Sequence, residues 1–168
     1  MTAIQKLSDN ATARWTALII VSLTMMFGYF FTDVMSPLEG MLATDLQWNG
    51  SEYGFFSGAY GLINVFLLML FFGGIILDKM GIRFTCMFST ITMLVGAVIK
   101  WYAVTFIPTE TLVEWFHLHL VIINIDAPHL SNLVAALGFS IFGVGCEIAG
   151  ITVSKIIAKW FTGHEMAL

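Results

Sequence analysis

Residues 58–83 read GAYGLINVFLLMLFFGGIILDKMGIR. Apart from Asn64 and Tyr60 the side chains are apolar or small through Leu77, and then Asp78, Lys79 and Arg83 arrive around Gly81. A lipid core about 30 Å thick is crossed by about 20 apolar residues wound as a helix, because in the absence of water only a helix satisfies its own backbone polar groups. Extended back to Tyr53, the run predicts a membrane span over 53–77. The charged turn at 78–83 predicts a return to water.

The same pattern recurs on both sides. Residues 15–35, 84–106 and 133–157 predict three more spans, so four helices are expected. The 168 residues are 58% hydrophobic and 11% charged, with mean hydropathy +0.89, whereas soluble domains carry about a quarter charged residues. An all-α transmembrane fold follows. Ser36, Pro37, Glu39, Gly40 and the polar residues 44–52 predict an external loop after span one. Pro108 stops span three. Residues 107–132 mix Glu110, Glu114, His117, His119, Asp126, Pro128 and His129 with apolar positions, which predicts a long external loop with an interfacial helix near 113–123. Residues 1–14 suit a cytoplasmic tail. Residues 158–168 suit a cytoplasmic interface, with Met166, Ala167 and Leu168 expected to open a further, truncated span.

The distribution of charge orients this arrangement, since cytoplasmic loops retain Lys and Arg. In a four-span topology Lys6, Arg14, Lys79, Arg83, Lys155 and Lys159 share one side, and Glu39, Asp45, Glu52, Glu110, Glu114 and Asp126 share the other with Lys100. The amino terminus is therefore expected in the cytoplasm, and the expected location is a plasma (bacterial inner) membrane. No small-residue cleavage site follows the first apolar run, so it reads as a retained span. No basic stripe invites nucleic acid. Cys86 and Cys146 lie in or beside apolar runs and read as small packing residues, with no disulfide, metal or cofactor implied.

Gly74, Asp78, Lys79, Gly81 and Arg83 occur at spacings that resemble the signature loop of the major facilitator superfamily: glycine, three residues, aspartate, a basic residue, any residue, glycine, any residue, a basic residue. Ile82 departs from it, since many members carry a further basic residue there. The resemblance implies the amino-terminal six-helix bundle of a twelve-helix carrier, of which this chain is a fragment, with the 78–83 turn latching two halves on the cytoplasmic face. Physically, Gly81 permits the turn, and Asp78 and Arg83 supply charge-assisted contacts. The segments MSPLE (35–39), SEYG (51–54), 58–85, GVGCE (143–147) and AKWFTGHEMAL (158–168) further resemble a branch containing a lysosomal dipeptide uniporter and its bacterial relatives. That implies a dipeptide or amino-acid-like cargo.

Ionisable residues inside spans are the candidate site, because a charge at mid-bilayer costs about 3 kcal/mol or more. Glu147 lies mid-span, and Ser140, Gly143, Gly150 and Ser154 share its helical face, giving a small and polar stripe turned away from lipid. Asp33 sits at the outer end of span one with Tyr29 on the same face. Span two contributes Tyr60 and Asn64. The resemblance implies that the first and fourth helices line a central cavity, so Glu147, Tyr29 and Asp33 are the expected substrate-facing residues. Tyr60 and Asn64 are lesser candidates. A carboxylate here holds a substrate ammonium, or carries a proton, or ties helices together by pairing with Lys155 or Arg83. Asp33 admits the simpler reading of a hydrated residue at the outer interface. Lys100 is expected to reach outward to the external interface. The histidines of the external loop match no strong zinc spacing and read as a hydrated loop.

The expected activity is alternating-access movement of a small solute across the bilayer, with no catalytic group and no enzyme activity. Two other classes are weighed: a four-span accessory or structural subunit in which Glu147 and the glycines serve packing, and an intramembrane enzyme using His117 and His119. Whether an accessory subunit joins the carrier is left open.

Overall fold

A computed structural model describes residues 10–67, 69–119 and 124–161. The expectations for residues 1–9 and 162–168 lie outside these. Five helices and one short hairpin are described. Helix α1 spans Ala11–Asp33, and the Asn10 side chain caps it by accepting from the Thr12 amide at 3.0 Å. After a 3-10 turn at Ser36–Leu38 comes α2, Glu39–Asp45. The expected external loop is thus largely helical, and it folds down on the bundle, burying Leu42, Leu46 and Trp48.

Helix α3 covers Gly50–Phe66. Its start is written locally: the Asn49 side chain accepts from the Glu52 amide while the Glu52 carboxylate accepts from the Asn49 amide, both at 2.9 Å. This reciprocal pair satisfies two of the amide groups that every helix start leaves open. The expected span 53–77 is not one helix, because α3 ends at Phe66 and α4 opens at Met69. Helix α4, Met69–Phe106, carries the charged turn within it as a kink at Gly81, where φ is 82° and ψ is 169°. Beyond α4, strands β1 (His117–His119) and β2 (Asn124–Asp126) pair antiparallel, with His117 opposite Asp126 and Leu118 opposite Ile125. Over 113–119, turns and an extended strand replace the interfacial helix predicted near 113–123, and residues 120–123 lie outside the described residues. The segment is rich in aromatic and β-branched residues, and Ile125 buries against the bundle, which a pleated surface accommodates better than a helix.

Helix α5, Leu130–Phe161, is the centre of the fold, packing on α4 most extensively, then α3 and α1. Much of it is buried, whereas Arg14 is the one buried side chain of α1. Three helical segments, Ala11–Asp45, Met69–Phe106 and Leu130–Phe161, are long and apolar enough to cross a membrane, consistent with an all-α membrane protein. The large apolar side chains on the outer faces of α1 and α4, among them Ile19, Phe30, Met87 and Leu94, are exposed. That is the expected state of a surface whose solvent is lipid.

Close approach of α4 to α5 rests on paired small residues. A Cβ at Gly138 would sit 2.8 Å from the Gly96 carbonyl oxygen, so the two backbones touch there without side chains between them. Beside this contact an aromatic cluster fills the end of the bundle nearer the hairpin. Phe56 stacks on Phe139 at 4.9 Å between ring centres, and Trp48 tilts against Phe56 at 5.4 Å.

Candidate functional site

The crossing of α3 and α5 brings two helical pairs face to face. On α3 these are Tyr60 and Asn64, and on α5 Gly143 and Glu147, each pair one turn apart. The absence of a side chain at Gly143 sets the distance, because a Cβ there would collide with the Tyr60 carbonyl oxygen and lie 3.2 Å from Asn64 Nδ2. With the helices that close, the Tyr60 hydroxyl donates to Glu147 Oε1 at 2.8 Å. Ser140, one turn further out, donates to the Ala59 carbonyl at 2.7 Å and bridges the same two helices.

The stripe predicted on span four thus divides. Ser140 and Gly143 press on α3, Gly150 approaches Met25 of α1, and Ser154 is exposed. Glu147 is half-buried and takes Tyr60 as its partner. Lys155, which the helix-pairing alternative offered to Glu147, instead forms an ion pair with Asp78.

Tyr29 on α1 lies near enough to Glu147 to interact with it electrostatically, and Cys146 sits beside Tyr60 and Thr32. Asp33 closes α1 as an exposed residue. It lines a cavity of about 230 Å³ together with Thr32, Tyr53, Ser57, Tyr60 and Phe139. Tyr60 therefore lines this cavity while its hydroxyl binds Glu147. Asn64 is buried, its Nδ2 donating to the Tyr60 carbonyl at 3.2 Å, while its Oδ1 has no hydrogen-bond partner among the described residues. A buried acceptor left open beside a carboxylate and a phenol suits a ligand that brings donors, such as an ammonium or amide.

At the other end of the bundle, Asp78, Gly81, Arg83, Lys155 and Lys159 line a groove of about 660 Å³ between the kink of α4 and the end of α5. Lys79 is exposed, and Gly74 lies on α4 one turn before Asp78.

Two features were not legible from sequence motifs. Glu52, 1% exposed, receives the His129 amide at 2.7 Å, with His129 Nδ1 at 2.7 Å from the same oxygen, while the Asn132 side chain donates to the Glu52 carbonyl at 3.0 Å. This network clamps the start of α3 to the start of α5. The capping pattern Asn49 to Glu52 was the available signal, but nothing local pointed to His129. His117 Nδ1 lies 3.0 Å from Asp126 Oδ1 across the hairpin, so His117 and His129 lie against different carboxylates. Among the described residues no group of three or more His, Cys, Asp and Glu could hold a metal.

Lys100 is the second. Rather than reaching outward, its ammonium lies 4.5 Å from the ring centre of Phe139 and 5.3 Å from that of Phe142. An aromatic face attracts a cation that has no water to turn to.

No family profile, curated protein or solved structure matches this chain.

Proposed function

We propose that the chain forms the amino-terminal part of a transmembrane carrier of major facilitator type, moving a small solute by alternating access, and that it is not an enzyme. The observation that carries this reading is the Tyr60 to Glu147 hydrogen bond, held between two helices beside a polar cavity in an otherwise apolar bundle. A carboxylate retained at such depth carries a cost of about 3 kcal/mol or more, and one phenol hydroxyl uses only part of its capacity to accept. Glu147 is left able to hold a substrate ammonium or a proton, with Tyr60, Tyr29, Asn64 and Asp33 around it. The kink at Gly81 with the Asp78 to Lys155 ion pair supports the signature-loop assignment, in which Gly74, Asp78, Lys79, Gly81 and Arg83 stabilise one state of the carrier. In this reading α3 and the first part of α4 together make the second of four crossings, the amino terminus is cytoplasmic, and the remainder of the carrier completes the cavity. The cargo implied by the sequence resemblance is a dipeptide or amino-acid-like solute.

The close contacts at Gly96, Gly138 and Gly143 favour a second reading, a static four-span accessory subunit. Uptake into proteoliposomes of the full-length protein, over a panel of dipeptides and amino acids with and without a pH gradient, separates the two. Uptake that Glu147→Gln abolishes supports the carrier. No movement of any solute, or wild-type uptake by Glu147→Gln, removes the site.

A further inference from the structure

Between α1 and α4, floored by α5, lies a second and larger cavity of about 770 Å³, within the size range of ligand pockets. Its walls include Phe27, Phe31, Leu94, Trp101 and Phe142. Lys100 is the one ionisable side chain lining it among the described residues. Its three threonines, Thr24, Thr90 and Thr105, are neutral and supply no counter-ion.

We propose that this cavity binds a single-chain amphiphile with a terminal carboxylate, its head on the Lys100 ammonium and its tail along the crevice between α1 and α4. Three observations converge on that class. Lys100 lies within the apolar length of α4, and no carboxylate forms an ion pair with it among the described residues. Its contacts with two aromatic rings attract the cation without neutralising it. An incoming anion does neutralise it. The remaining walls are mostly apolar and the flanking faces of α1 and α4 are exposed, so a hydrocarbon tail enters sideways from the bilayer. A carboxylate at a chain end reaches a lysine six residues, about 9 Å, inside the end of α4, whereas a phosphodiester stays with its glycerol at the interface. The site is separate from Glu147 and does not depend on the carrier reading.

The test is photolabelling of the full-length protein in phosphatidylcholine nanodiscs with a diazirine palmitate, read by peptide mass spectrometry. Label is expected on residues 24–35 and 90–105, displaced by palmitate and not by hexadecanol. Lys100→Met should reduce it more than about tenfold, while Lys100→Arg retains it. Leu94→Trp, which fills the cavity with Lys100 in place, should also abolish it at an unchanged melting temperature. Competition by hexadecanol or lysophosphatidic acid as strong as by palmitate, undiminished labelling of Lys100→Met, or persistent labelling of Leu94→Trp would each overturn the assignment.

Discussion

The Tyr60 hydroxyl of α3 and the Glu147 carboxylate of α5 meet at 2.8 Å across 87 residues of chain. A hydrogen bond to a charged acceptor is worth about 1.5 to 3 kcal/mol, so the two side chains should act as a unit. Under the carrier reading, Tyr60→Phe lowers uptake by about tenfold or more, Glu147→Gln lowers it at least as far, and the double variant is no worse than Glu147→Gln alone. Additive losses in proteoliposome uptake would show that the contact has no functional weight.

Gly143 is the condition for that contact. Gly143→Ala forces a methyl group against the Tyr60 carbonyl, and overpacking of this kind costs about 1 to 3 kcal/mol. A lowered melting temperature is expected, with Ser154→Ala, an exposed position on the same face, as the unaffected control. Equal melting of the two variants would mean that the helices cross less closely than described.

Gly81 holds φ 82° with ψ 169°, a region open essentially to glycine alone, where any other residue is strained by about 1 to 3 kcal/mol. Gly81→Ala and Gly81→Asn should therefore destabilise to a similar degree in thermal unfolding. Rescue by Asn, which tolerates the left-handed helical region but not this one, would indicate a different backbone turn.

Glu52 is buried at the start of α3, where it receives the amides of Asn49 and His129. Glu52→Ala leaves both donors without that acceptor, at about 1 to 3 kcal/mol for a buried group. Hydrogen exchange of the His129 amide should accelerate by about tenfold or more, and an unchanged rate would remove the clamp.

Asp78 and Lys155 are joined by an ion pair in which Asp78 is 75% exposed. Exposed pairs contribute about 0 to 1 kcal/mol. Asp78→Asn should barely move the melting temperature, yet under the carrier reading it should alter uptake, and exchange of the two charges should restore it. A large loss of stability would make the pair structural.

The outlines of the helices were legible because hydropathy and breaking residues act over a few neighbours. Gly81 was readable as a turn for the same reason, whereas the start of α3 was placed at Tyr53 and the capping pair Asn49 and Glu52 was assigned to the preceding loop. The interruption between Phe66 and Met69 was not, since the run is apolar across it. The hairpin escaped as well, because its aromatic and β-branched residues suit a strand only once the bundle offers Ile125 a place to bury.

Sequence alone determined that this chain forms apolar helices long enough for a bilayer, broken by a charged turn at 78–83, because segment length and solvent preference are properties of contiguous residues. Tertiary structure alone decided the partners: Tyr60 for Glu147, Asp78 for Lys155, His129 for Glu52, and the rings of Phe139 and Phe142 for Lys100. Each joins separate helices or a helix and the segment before α5, and which side chains meet is set by the approach distance that glycines such as Gly143 allow and by the rotation of α5 among its neighbours.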